Sequence, residues 1–397
     1  MTQASNINAL MRSLIWPIYI PAILTASAQT AILVLLPLYV LELGHSPAIA
    51  ALVLGLRGLG QLMGDIPAGI AAGKLGDKAC LMLGMAGYTL GYGLVAVSSD
   101  PILLGLGAMI AGCGMSFALI GRQAYVSARS ASQERGRVMA MMAGAMRVGA
   151  FIGPLAGGLL ASSAGYPVAF SVLVVVCLIA LAVVAVCAEK GEPEPSHESH
   201  SISAIGAVLV EYRQEFLSAG VAMMALQFMR AARVALIPLA GSAMGLEVDT
   251  IGFVVAAGAA VDSLMFIPAG IIMDRWGRKA AAGPSLVLFA TGIALLGWAD
   301  SHAALLASAV LIGFANGLSS GLVMVLGADF APEKGRSRFL GVWKLVADSG
   351  HAGAPMAISG LLGVASLLAC SQVVAVCGMA GFWVMAKHMR ETLVKHP

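Results

Sequence analysis

The sequence predicts an all-α integral membrane protein with twelve transmembrane helices in two pseudo-symmetric six-helix bundles. Three observations predict it. Of 397 residues, 59% are hydrophobic and only 11% charged, whereas a soluble domain carries about 25% charged residues, and the mean hydropathy is +0.91. The apolar residues gather into runs of roughly 20 to 28, the length that one membrane crossing needs. The second half of the chain repeats landmarks of the first at a constant spacing.

Divided at polar and Gly/Pro punctuation, the runs fall at 14–41, 47–73, 79–98, 101–128, 138–161, 166–188, 216–241, 250–273, 280–298, 303–329, 338–362 and 366–386. None shows the ten-residue alternation of an outer-membrane barrel strand. Helices are therefore the structure that satisfies the backbone of these runs in lipid. The segment before Leu14 is polar, and the run behind it exceeds a signal-peptide core, so it is read as a retained first span. Every Lys and Arg of the loops and ends, from Arg12 to Lys395, falls on one side of the membrane; the opposite loops hold Glu42, Asp100, Glu247, Asp249 and Asp300. Short loops rich in Lys and Arg stay in the cytoplasm, so both termini are predicted cytoplasmic.

The longest polar stretch, 188–201, has the Glu/Pro/Ser composition of a linker. It divides the chain into an N-terminal bundle (1–187), a linker with an interfacial helix at 204–215 (188–215 in all) and a C-terminal bundle (216–397). His197 and His200 within it read as solvated side chains. The six cysteines are scattered singly without CxxC spacing, so neither a disulfide framework nor a metal site is predicted. The formal net charge of +3 with no basic block argues against nucleic acid as a partner.

Pro37, Pro67 and Pro154 return as Pro238, Pro268 and Pro355, each 201 residues later, and Ile66-Pro67-Ala68-Gly69 returns as Ile267-Pro268-Ala269-Gly270. A duplicated six-helix unit is the architecture of secondary transporters. Two motifs sharpen this. Gly270, Asp274, Arg275, Gly277, Arg278 and Lys279 form G-x-x-x-D-R-x-G-R-K, where glycine permits close helix approach and a tight turn and the charges form a breakable gate cluster. In the first half Gly73 stands where the acid belongs and Asp77 where a cation belongs, so either the acid has moved by four residues or the gate there is weaker. Gly149, Gly153, Pro154, Gly157 and Gly158 form G-x-x-x-G-P-x-x-G-G, small residues that let backbones pack in lipid plus a kinking proline. With both motifs in place, the chain resembles the major facilitator superfamily over nearly its whole length. The resemblance implies a transporter of a bacterial-type inner membrane, and the second motif implies a twelve-helix drug:proton antiporter.

Charges inside a span cost roughly 2.5–3.5 kcal/mol each on insertion scales and so mark function or pairing. Arg57, Gln61 and Asp65 share one stripe of the second run. Asp65 reads either as a protonatable group or as a partner of Arg122. Asp262, at the repeat position of Gln61, is the most central acid: a proton-coupling group, or a standing partner of Arg230 or Arg233. Lys344, Asp348 and His351 lie at i, i+4, i+7, as a local Lys344–Asp348 pair or as an Asp348–His351 proton relay. Arg147 has no acid in its own run. Arg57, Gln61, Arg147, Arg230 and Arg233, with Gln29 and Asn316, are the candidate substrate contacts. Aromatic content is 6%, which weakens the case for a cage recognising lipophilic cations.

The leading expectation is a monomeric proton-coupled exporter of a small organic compound, with no cofactor beyond the proton gradient; its partners are that compound, protons and the bilayer. The alternatives are a carrier of an anionic metabolite, motivated by the arginines, and a lipid translocase. No P-loop, G-x-S-x-G or H-E-x-x-H is present, so ATP-driven pumping and enzymatic hydrolysis are not expected.

Overall fold

A computed structural model describes residues 10–130, 132–190, 202–332 and 335–392. Fifteen helices follow in chain order: α1 Ile15–Glu42, α2 Pro47–Leu75, α3 Asp77–Val97, α4 Pro101–Arg129, α5 Ser132–Ala164, α6 Tyr166–Cys187, α7 Ile202–Glu211, α8 Arg213–Ala243, α9 Val248–Leu264, α10 Phe266–Trp276, α11 Arg278–Gly297, α12 His302–Leu318, α13 Leu322–Phe330, α14 Arg336–Leu362 and α15 Leu367–His388. Strands are absent among the described residues. Of the stretch read as linker, residues 191–201 lie outside the described residues, His197 and His200 with them, and α7 occupies most of the stretch read as interfacial.

Helix starts follow local chemistry. Ser46, Asp100, Ser301 and Ser366 each accept a hydrogen bond from a backbone N–H two or three residues on, satisfying donors that a helix leaves orphaned. Proline stands in the first two positions of α2, α4 and α6, where its missing N–H costs nothing.

Among the described residues, ten helical stretches are long and apolar enough to cross a membrane, with α12 and α13 counted together, and the α9–α10 pair, bent by 40°, makes an eleventh. The predicted run 250–273 is therefore broken at Met265. Pro268 supplies part of the reason, since it cannot donate to the preceding turn and its ring crowds that turn. The run 303–329 is interrupted at Ser319–Gly321, with Gly321 at φ +78°. α14 has the length of a span, 27 residues, but Lys344, Asp348 and His351 dilute its apolarity.

The described residues cluster into two compact units. One lies within Met1–His197 plus Glu247–Ala256, the other within Glu198–Leu246 plus Ala257–Pro397. In each, one helix is largely enclosed and another peripheral: α1 and α8 bury 67% and 61% of their apolar window, α6 and α15 only 28% and 33%. The outward faces carry exposed apolar side chains such as Leu90, Val186 and Val376, as lipid-facing surfaces do.

The 201-residue repeat is three-dimensional. A one-turn π-helix opens α1 at Ile15–Tyr19 and α8 at Phe216–Gly220. Gly149 packs on the Ile23 carbonyl and Gly350 on the Met224 carbonyl; Gly112 packs on the Arg57 carbonyl and Gly313 on the Gly258 carbonyl. Gly76 and Gly277, at φ +85° and +104°, make the same tight turn in the two units, in a backbone region that disfavours any Cβ.

Candidate functional site

In the first unit, Arg57 on α2 is buried to 6% exposure, and its Nη2 donates to the Met115 thioether at 3.3 Å. Gln29 on α1 donates to the same sulfur at 3.0 Å. Met115 thus holds α1 and α2 side chains against α4, although a thioether is a weak acceptor for a guanidinium. Gln61 has a buried Oε1 without a partner among the described residues, while its backbone carbonyl accepts from Ser116 at 2.7 Å. Asp65 is half-buried. Of the two readings of Asp65, the pairing with Arg122 is not made: Arg122 donates to Thr25 Oγ1 at 3.2 Å instead. Arg147 lies half-buried on α5, two residues before Gly149.

The second unit balances its charges. Asp262 on α9 accepts from Asn316 Nδ2 of α12 at 2.6 Å and stands 3.8 Å from Arg233 Nη2 of α8, the carboxylate side chain being 14% exposed. Glycine allows this crossing, because Gly317 lies against the Asp262 backbone carbonyl, 2.6 Å from where a Cβ would stand. A second chain of polar groups runs beside it. Arg230 Nη2 donates to both the carbonyl and the hydroxyl of Ser319 at 2.9 Å, so its guanidinium satisfies backbone freed by the interruption between α12 and α13. Arg230 Nη1 donates to Gln227 Oε1 at 2.8 Å, Gln227 Nε2 to Asp348 Oδ1 at 3.4 Å, and Lys344 Nζ to Asp348 Oδ2 at 2.6 Å. Arg230 and Arg233, three residues apart, thus reach Ser319 with Gln227 and Asp262, respectively. His351 is half-buried one turn beyond Asp348.

The motif around α10 and α11 is a latch of charges. Arg278 Nε donates to Asp329 at 2.9 Å and its Nη1 to the Met273 carbonyl at 2.7 Å, with Asp274 3.4 Å away. Glu391 accepts from the backbone N–H groups of Arg278 and Lys279 at 2.8 and 3.0 Å, completing the start of α11 with negative charge where a helix dipole favours it. In the first unit Asp77, itself the first residue of α3, supplies that charge: it accepts from the Lys78 N–H at 2.6 Å and pairs with Arg129, whose guanidinium lies 3.5 Å over the Tyr125 ring. Asp77 is thus a negative charge in the first turn of α3, and the second unit brings Glu391 to the same place from its far end. Asp274 is 80% exposed, and Arg275 is exposed.

Gly270 corrects the sequence reading. It was expected to permit close helix approach, yet a Cβ there would meet nothing within 4 Å. Gly277 carries the demand for glycine through its φ of +104°, which a Cβ disfavours, and a Cβ there would also displace the Glu391 carboxylate. Gly277→Ala is therefore expected to lower the thermal unfolding midpoint by several degrees in detergent, and Gly270→Ala to leave it unchanged. Equal midpoints would remove Gly277 from the latch.

The G-x-x-x-G-P-x-x-G-G stretch of α5 packs on two faces. Gly149, Gly153 and Gly157 meet α1 at Ile23, Ser27, Thr30 and Ala31, and the Thr30 hydroxyl donates to the Gly149 carbonyl at 3.3 Å. Pro154 and Gly158 meet the start of α9 at Val248, Asp249 and Gly252, which belong to the same unit.

Sequence reasoning missed Thr25, Met115, Arg129, Gln227, Ser319, Asp329 and Glu391. Gln227 carried a signal, three residues before Arg230 in an apolar run. Thr25, Met115 and Ser319 are uncharged, Arg129 and Glu391 lie in segments read as loops or ends, and Asp329 is the last residue of its run.

Two helical units built on one repeat, with paired charges inside the spans and a breakable charge latch at a helix turn, define a multi-pass membrane transporter. The family model for the Major Facilitator Superfamily matches residues 18–355 and 216–395, and the chain belongs to that superfamily. Among curated relatives, the "Multidrug resistance protein MdtH" of Yersinia enterocolitica is 32% identical over 119 residues, and the protein of that name from Yersinia pestis matches equally. The match spans 30% of this chain and 30% of the relative. Among solved structures, a POT family transporter in complex with a thioalcohol-conjugated peptide aligns with a TM-score of 0.77 at 11% identity, covering 95% of this chain and 94% of that one. The human organic anion transporter MFSD10 (TETRAN) aligns with a TM-score of 0.67 at 15% identity, covering 94% and 99%. At such identities the likeness is one of fold.

Proposed function

We propose that this chain is a proton-coupled antiporter that exports a small organic compound across the inner membrane by alternating access, working as a monomer with both termini cytoplasmic and the proton gradient as its energy source. One observation carries the reading: a mid-span carboxylate, Asp262, accepts from the Asn316 carboxamide and stands beside the Arg233 guanidinium. Such a group exchanges a proton for an ion pair, so proton uptake releases Arg233 and changes the contacts between α8, α9 and α12. The G-x-x-x-G-P-x-x-G-G stretch and the partial likeness to a multidrug resistance protein support export. In everted vesicles containing the protein, an imposed pH gradient is expected to drive dye accumulation that a protonophore abolishes. Accumulation indifferent to the protonophore would overturn the coupling.

A second reading, a carrier of an organic anion, is favoured by Arg57, which is buried with a thioether as its hydrogen-bond acceptor. Arg57→Gln is expected to abolish uptake of an organic acid if this reading holds and to leave dye efflux largely intact if the first one does. Both activities measured on the same vesicles separate the two.

A further inference from the structure

Arg122 on α4 is 3% exposed. Its Nη2 donates to Thr25 Oγ1 at 3.2 Å, a hydroxyl that itself donates to the Pro21 carbonyl at 2.7 Å. Its Nε meets no acceptor among the described residues, and none of their carboxylates forms an ion pair with it. A guanidinium does not release its proton in a protein. A full positive charge with five N–H donors is therefore held out of water against one neutral oxygen, the arrangement that desolvation penalises most unless a counter-charge arrives.

Beside this guanidinium lies a cavity of about 10 Å³, lined by Arg122, Thr25, Gln29, Tyr88, Met115 and Met146. That space has room for about one water-sized body. Its wall is mostly apolar, with Ala26, Ala118 and Leu119 beside the methionines, and Arg122 is its one charged group. Besides Arg122, the Gln29 carboxamide N–H has the Met115 thioether at 3.0 Å as its acceptor, and the Tyr88 hydroxyl is buried at the same place. No acid lines it. The two methionines are flexible and polarizable, so the wall yields to a body slightly larger than water. The observations are a buried guanidinium without a counter-charge, its Nε lacking an acceptor, and a small space that it lines.

We propose that this cavity binds one small monovalent anion, of the chloride class, as a resident ligand that neutralises Arg122 and ties α1 to α4. The site lies wholly inside the first unit, and Arg122, the residue it neutralises, is neither a candidate substrate contact nor a candidate proton-coupling group. A water molecule is the competing occupant, and it would leave the charge uncompensated.

The test uses the purified full chain in detergent. Radiolabelled chloride is expected to bind saturably at about one per chain. The unfolding midpoint is expected to rise by several degrees when sodium chloride replaces sodium gluconate at constant ionic strength. Arg122→Gln should lose both responses. Thr25→Val, which keeps the charge and removes one oxygen, guards against a misfolded Arg122 variant; it should raise the half-saturating chloride concentration several-fold. Absence of saturable binding, or equal midpoints in the two salts, would assign the space to water and overturn the proposal. An unchanged chloride response in Arg122→Gln or Thr25→Val would overturn it too. Failure of dye efflux in vesicles would sink the transport reading and leave these measurements untouched.

Discussion

Asp262→Asn is expected to reduce proton-driven efflux to the background of vesicles lacking the protein, while the thermal midpoint in detergent changes little. Asparagine keeps the shape of the side chain and still offers an oxygen to the Asn316 N–H, so the α9–α12 crossing survives. It removes the negative charge 3.8 Å from Arg233 and the proton to be exchanged. Two unit charges at that separation interact by about 4 kcal/mol at an effective dielectric constant near 20, before desolvation is counted. Moving a two-state equilibrium from one extreme to the other takes about 5.5 kcal/mol. Making and breaking this one pair is thus of the size that a conformational switch requires. Asp348→Asn is expected to do less, because Lys344 is 59% exposed and solvent screening reduces what its pair contributes. Efflux by Asp262→Asn that remains at the wild-type rate and sensitive to a protonophore would move the coupling to another acid.

Gly153→Leu is expected to abolish recovery of folded protein. A Cβ at that position would overlap Thr30 Oγ1 and the Ser27 carbonyl, and the helices cannot separate locally because Gly149 and Gly157 hold the same crossing, where a Cβ would stand 2.6 Å from the Ile23 carbonyl and 2.9 Å from the Ala31 side chain. Inserting methylenes into a packed interior costs typically 1–3 kcal/mol and more where backbone must move, against a total stability of about 5–15 kcal/mol. Gly144→Leu is the control on the same helix, since nothing lies within 4 Å of a Cβ there. Fluorescence-detected size exclusion of tagged variants reads the outcome; equal monodisperse yields from the two would show that the G-x-x-x-G-P-x-x-G-G crossing is not a steric requirement.

Much of the architecture was legible in the residues. Runs of apolar side chains predicted spanning helices because lipid offers the backbone no partner, and the prolines 201 residues apart predicted a duplication that the paired glycine contacts display. The interruptions were not legible. Met265 and Ser319–Gly321 sit inside runs whose composition reads as continuous, and Arg230 covers the opened backbone from another helix. The site was legible as a set of residue types: Asp262, Arg233 and Asn316 were all singled out, and the structure brings them together. Thr25, Glu391 and Met115 were not, because a threonine, a residue in a terminal segment and a thioether carry no signal until something charged is placed against them.

Membrane class, helical build and internal repeat follow from the chain alone, since hydrophobic length and glycine or proline placement act within a few residues of themselves. Partnership among the buried charges is decided only in the tertiary structure. Arg122 meets Thr25 from 97 residues away, Asp262 meets Asn316 from 54, and the start of α11 meets Glu391 from 113. Each choice depends on the rotation and depth of helices that are remote in sequence. In a medium without water, a displacement of one helical turn exchanges a paired charge for an unpaired one.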